Sequence, residues 1–182
     1  LSLPAPPPVS LVPSSDLRLV VNPPPDGCQT VTRFELDANF EQPTSSNGQA
    51  VDERSARLEQ TSAQDTQPPV VQGGQDLATI APSERTLCIT TAGNQTDLQN
   101  RSQSALTAAG WMLNATAETT AHMLGGVLVP HDIVQVDHVG SRHSGPYQVS
   151  QATHIINGAD HRMNLSLRRN AIGSNGNGTS LP

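Results

Sequence analysis

The chain contains no lysine: all ten of its basic residues are arginine, set against sixteen carboxylates for a net charge of −6. Neutralising phosphates takes clustered cations, and the one adjacent basic pair is Arg168-Arg169, so the sequence argues against direct nucleic-acid binding. At a strand end such a pair reads as a solvated edge or an ion pair with a neighbouring subunit. Aromatic residues make up 2% of the chain and hydrophobic residues 35%, which excludes a deep core along the whole 182 residues. No apolar run approaches the eighteen residues of a membrane-crossing helix, and the N-terminal stretch lacks the charged and apolar regions of a signal peptide, so no membrane insertion is expected. Two cysteines, Cys28 and Cys88, are too few for a disulfide scaffold and read as free buried thiols.

What the chain does have is proline, glycine and small polar residues. The 15 prolines and 14 glycines gather in Pro4 to Pro13, Pro23-Pro24-Pro25, Pro68-Pro69 and the Gly-rich tail. Residues 1–15 read as an extended Pro-rich connector, because no basic residue flanks them to complete a polyproline-recognition motif. Strands at Asp16 to Asn22 and Gln29 to Leu36, joined by Pro-Pro-Pro-Asp-Gly, suggest a hairpin over 16–40 that belongs to a first barrel. The stretch 41–85 is dominated by Gln, Ser, Thr and Asp and reads as a polar insertion or linker; 174–182 reads as a flexible tail.

Residues 86–173 are patterned. Ile133 to Val139 alternates, with Val134 and Val136 opposite Gln135 and Asp137, and Gly140 ends it. A second strand runs from Tyr147 to Ile156 and Asn157-Gly158 supplies a hairpin turn tolerant of positive φ. In the return strand, His161 to Arg168, the residues Met163, Leu165 and Leu167 share one face. Upstream, 97–109 carries Leu98, Ala105, Leu106 and Ala109 at helical spacing behind an Asp97 cap, and Trp111 to Ala117 looks extended. The order from Thr86 is strand, helix, then four strands: a mainly β fold, α+β at the margin, in which a small β-barrel carries one packed helix.

Leu128-Val-Pro-His-Asp-Ile-Val-Gln-Val136, Val139-Gly-Ser-Arg-His-Ser-Gly-Pro-Tyr147, the pair His154-Ile155 and Leu167-Arg-Arg-Asn-Ala171 resemble the phage late control D family over residues 86–173, and more loosely over 16–40. These are the baseplate hub proteins of contractile phage tails and contractile injection systems, VgrG relatives included. The resemblance implies a non-enzymatic, cofactor-free structural protein whose protomers contribute two similar barrels each. Three chains would then form a homotrimer with a pseudo-sixfold ring, joining a sixfold tail tube to a threefold spike. Its partners would be the spike protein, a tail-tube or tube-initiator protein and other baseplate proteins. Its place would be the virion or a phage-like particle assembled in the bacterial cytoplasm. Compared with the family, the chain has less polypeptide upstream and no fused spike, so the spike is expected as a separate protein. The residues expected to matter are architectural: Gly140, Ser144, Gly145 and Tyr147 in a tight connection, Met163, Leu165 and Leu167 in the barrel, and Arg168 and Arg169 at the strand end.

Catalytic readings find little support. His138 and His143 beside Asp137 lack the spacing of a metal site, since neighbours on a strand face opposite ways. Ser144, His154 and Asp137 lack the framing turn of a nucleophile. A different class is suggested by five sequons, at Asn94, Asn100, Asn114, Asn164 and Asn177, which would suit an extracellular β-rich adhesion or glycan-binding module. Against it stands the shortage of aromatics for stacking on sugars; Trp111 and Tyr147 read instead as core or interface residues whose polar tips need partners.

Overall fold

In the computed structural model, residues 17–52, 57–64, 73–81, 85–90 and 94–173 are described. Strands β1 (Arg18–Val20), β2 (Arg33–Ala38), β3 (Ser45–Asp52), β4 (Arg57–Gln64) and β5 (Gln75–Asp76) precede the short helix α1 (Leu77–Ile80). Then come β6 (Thr86–Ile89), α2 (Gln95–Ala109), β7 (Leu113–Thr120), the one-turn α3 (Ala121–Leu124), β8 (Ile133–Asp137), β9 (Gly145–Ile156), β10 (His161–Arg169) and β11 (Ala171–Ile172). The connector 1–15 and the tail 174–182 lie outside the described residues.

The fold is mainly β. Its main layer is a curled six-stranded sheet in the order β1-β8-β9-β10-β7-β2, antiparallel except for the β1–β8 pair. Alternation builds it: β10 buries Met163, Leu165 and Leu167, and β7 buries Leu113, Ala115, Ala117 and Thr119, all on the inner face. Leu19, Val134, Val136, Tyr147 and Val149 join them in one core. The curl is laced together by the chain between the two edge strands. Thr30 N–H donates to the Val20 carbonyl at 3.2 Å and Thr32 N–H to the Glu118 carbonyl at 2.8 Å, so 30–32 ties β1 to β7.

The two N-terminal strands therefore do not make a hairpin of another barrel. β1 pairs in parallel with β8 and β2 pairs with β7, at opposite edges of the same sheet. The segment read as a linker is also structured. β3 and β4, eight residues each, pair antiparallel with β6 parallel to β3, and α2 packs on β3 and β4 rather than on the curled sheet. Small residues permit this: Ser46, Gly48 and Ala50 are buried, and a Cβ on Gly48 would lie 2.7 Å from Leu98 Cδ1. The cap of α2 is Asn94, not Asp97; Asn94 Oδ1 accepts the Asp97 N–H, while the Asp97 carboxylate takes Arg101 one turn on. Around Asn157-Gly158 the connection is a four-residue loop with neither residue at positive φ, because Asn157 Oδ1 accepts the N–H groups of Ala159 and Asp160. Cys28 and Cys88 are free, but exposed rather than buried.

Candidate functional site

Seven of the nine residues singled out from sequence fall into two groups on the inner side. Met163, Leu165 and Leu167 line the core at 2% exposure or less. Ser144, Gly145 and Tyr147 lie instead in a turn-and-strand cluster with Arg169, and Gly140 sits at its exposed corner with φ +90°. Sequence had placed Arg169 at a solvated edge or subunit-facing ion pair; it is instead the largest fully buried side chain, at 0% exposure.

The cluster begins with β8 leaving the sheet. The Gly140 carbonyl accepts the N–H groups of His143 and Ser144, and Ser144 Oγ accepts the Val139 N–H at 3.2 Å, which closes a compact turn. Tyr147, at the start of β9, points back beneath it and donates its hydroxyl to the His143 carbonyl at 2.8 Å. From β10, Arg169 enters the same space. Its Nη1 donates to the carbonyls of His143 and Ser144 at 3.2 and 2.9 Å, and its Nη2 donates to Gly173 across the β11 bend. Its Cζ lies 5.5 Å from the Tyr147 ring centroid.

Two glycines make room for this group. A Cβ on Gly145, whose φ is +147°, would meet Arg169 Nη2 at 2.6 Å, and one on Gly73 would meet the same atom at 2.9 Å. Burial lowers the Arg169 pKa, yet a guanidinium keeps its charge. Burial raises the Tyr147 phenol, against the opposing pull of Arg169, so the hydroxyl stays a donor. Burial lowers His143, helped by the positive charges of Arg142 and Arg169. The cluster can pin a turn, two strands and the β11–β5 pair to one another; it presents no nucleophile to solvent. The serine, histidine and aspartate once weighed as a triad have other partners: Ser144 the Val139 N–H, His154 the His161 ring, and Asp137 both Arg18 and Gln135. Among the described residues no three His, Cys, Asp or Glu side chains gather around one point.

Arg168 faces the other way. Its Cζ stacks 4.2 Å from the Trp111 ring centroid and its Nε donates to Gln148 Oε1 at 2.9 Å. The pair forms one wall of a surface groove of ≈ 580 Å³ against α2, with Gln103, Thr107 and Asn114. A further patch of the outer face is polar, with Arg33, Glu35, Thr116, Gln151, Thr153 and Asn164 side by side. The sheet also has a gap in its pairing. β8 pairs with β9 only from Gly145 to Gln148, so 150–156 runs on past the end of β8 with no strand beside it on that side among the described residues. That edge reads Ser-Gln-Ala-Thr-His-Ile-Ile and ends in Ile155 and Ile156, which are 47% and 71% exposed.

No family model matches the sequence, and no curated protein matches it either. Solved structures do. The 43 kDa tail protein of prophage MuSo2 from Shewanella oneidensis superposes with a TM-score of 0.57 at 12% identity, over 84% of this chain and 44% of that one. The tail protein from Neisseria meningitidis MC58 superposes with a TM-score of 0.58 at 14% identity, over 86% of this chain and 45% of that one. At such identities the likeness is one of fold, and the chain spans under half the length of either structure.

Proposed function

We propose that this chain is a structural, non-enzymatic component of a phage tail or phage-like particle, a protomer of the baseplate hub. In this reading it assembles as a homotrimer between the tail tube, or its initiator, and a separate spike protein, with other baseplate proteins around it. The virion is its location and the bacterial cytoplasm its place of assembly. The observation that carries the assembly reading is the bare β9 edge at 150–156. An exposed edge strand in a stable monomer is blunted by lysine, proline, a bulge or an inward charge. These seven residues hold no lysine, no proline and no carboxylate; past a bulge at Ser150 the edge runs on to two exposed isoleucines. A neighbouring subunit's backbone would satisfy that edge and cover the apolar tip. The fold shared with two tail proteins supports the choice of particle.

The pseudo-sixfold ring needs two barrels per protomer, and the described residues hold one curled sheet, so the sixfold match rests on barrels beyond this one. The test is the mass of the purified protein by light scattering, alone and mixed with the particle's spike protein. A trimer that captures the spike supports the hub; a monomer that stays monomeric and captures none refutes it. Thr153→Lys on the bare edge should weaken the trimer while leaving the melting temperature of the isolated chain within about 2–4 °C of wild type, as for an ordinary surface change.

A further inference from the structure

The open end of the β9–β10 hairpin carries a second arrangement, unrelated to the Arg169 cluster. Residues directly opposite in an antiparallel pair share a face, and the register sets Met163 against His154 and His161 against Ile156. His154 and His161 are therefore diagonal neighbours on the inner face, beyond the last core residue of β10, Met163. Their rings lie 5.2 Å apart between centroids at 56°, with His154 Nδ1 3.1 Å from His161 Nε2.

From this geometry we propose that His154 and His161 form a two-histidine binding site for a borderline transition-metal ion such as Zn²⁺, Ni²⁺ or Cu²⁺. Metal–imidazole bonds of about 2.0–2.1 Å set two adjacent ligand nitrogens about 2.9 Å apart at a right angle and about 3.4 Å apart at the tetrahedral angle. The observed 3.1 Å falls between these limits. An ion can therefore replace the hydrogen-bonded proton between the two rings once each ring turns its nitrogen lone pair toward the ion and the donor ring carries its N–H on its other nitrogen. Neutral imidazoles select this group of ions, whereas Ca²⁺ and Mg²⁺ require oxygen ligands. Access is open, since both rings are partly exposed and Ile156, across from His161, is 71% exposed. No third His, Cys, Asp or Glu of the described residues joins them, so the remaining coordination positions belong to water. Both ligands come from the one hairpin, so binding by the unassembled chain does not depend on the hub reading.

The test uses the full chain in chelator-free buffer, titrated with NiCl₂ and ZnCl₂ by calorimetry and with CuCl₂ by electron paramagnetic resonance. One ion per chain is expected, with nitrogen hyperfine structure from two imidazoles. His154→Asn and His161→Asn, which keep a polar side chain at the rim, should each weaken binding by at least about tenfold. His138→Asn, in an exposed turn, should leave it unchanged. No binding by the wild type, or equal binding by the His154→Asn/His161→Asn double variant, overturns the proposal. The copper spectrum of the wild type decides the matter even if a variant folds poorly: a spectrum without two-imidazole ligation also overturns it.

Discussion

Arg169→Met tests whether the buried arginine holds the turn. The methionine keeps the apolar stem packed but removes donors to the carbonyls of His143, Ser144 and Gly173. Hydrogen bonds to a charged donor contribute about 1.5–3 kcal/mol each. Part of that loss is offset, because the variant no longer has to desolvate a guanidinium, a cost of several kcal/mol. The net destabilisation should be about 2–4 kcal/mol, since the carbonyls of Ser144 and Gly173 each lose a donor at about 1–3 kcal/mol while that of His143 keeps the Tyr147 hydroxyl. Against a total stability of about 5–15 kcal/mol for a domain, that is a large loss. Arg169→Lys should recover little of it, because a compact ammonium cannot reach three carbonyls as a planar fork does. Urea unfolding followed by circular dichroism gives the number, with an unchanged m-value as the check that the same two states are compared.

The glycine beneath the guanidinium supplies the refutation. Gly145→Ala places a methyl 2.6 Å from Arg169 Nη2 on a backbone at φ +147°. The conformational strain alone costs about 1–3 kcal/mol, and the clash adds to it as long as the guanidinium stays bonded. In the Arg169→Met background the flexible thioether can yield, so the alanine should cost at least about 1 kcal/mol less than in wild type. Additive effects, or an Arg169→Met variant within about 0.5 kcal/mol of wild type, would show that the cluster holds nothing.

Leu165→Asp, at 2% exposure between Met163 and Leu167, sets an unpaired carboxylate in the core and should leave the chain unfolded at 25 °C; a cooperative melt near that of wild type counts against the inner-face assignment. Gly48→Val should destabilise by about 1–3 kcal/mol through overpacking against Leu98 and speed amide exchange along α2, whereas strand propensity alone predicts a gain. His143 makes stability depend on pH: its pKa is lowered on folding, so its contribution is complete above the unfolded value of about 6.5 and is lost as pH falls through the lower folded value. His143→Gln should therefore flatten the decline in melting temperature between pH 7.5 and 5, and an unchanged slope would assign that decline to other groups.

The curled sheet was legible in part because its strands bury large side chains on alternate positions. β7, β8 and β10 show the period of two directly, with Leu, Val, Ile and Met against Asn, Thr and Gln. The β3–β4–β6 layer was not legible, and the reason is chemical. Its helix-facing side is Ser46, Gly48 and Ala50, small residues whose burial leaves no hydrophobic signal, so a packed strand looks like a polar linker. The β1–β8 pairing was hidden for another reason. It joins residues more than a hundred positions apart in parallel, while the Pro-Pro-Pro-Asp-Gly turn signals a local hairpin that tertiary pairing overrides.

The site was nearer to being read than the fold around it. Met163, Leu165 and Leu167 were assigned to the inner face by parity, and the same parity carries residue 169 inward. Arg169 was kept at the surface because a charge is rarely buried without a partner, and its partners here are backbone carbonyls, which no sequence pattern displays. A signal was present in the glycines: Gly145 and Gly73 each lie where any side chain would meet the guanidinium. Ser144-Gly-Pro-Tyr147 and Leu167-Arg-Arg-Asn-Ala171 carried the resemblance as separate strings, and in the fold they meet at Arg169. Tyr147 and Arg169 share the His143 carbonyl, and Gly145 gives the arginine its space. The two strings are thus one structural unit, and their spacing follows from the hairpin of β9 and β10 that brings their ends together.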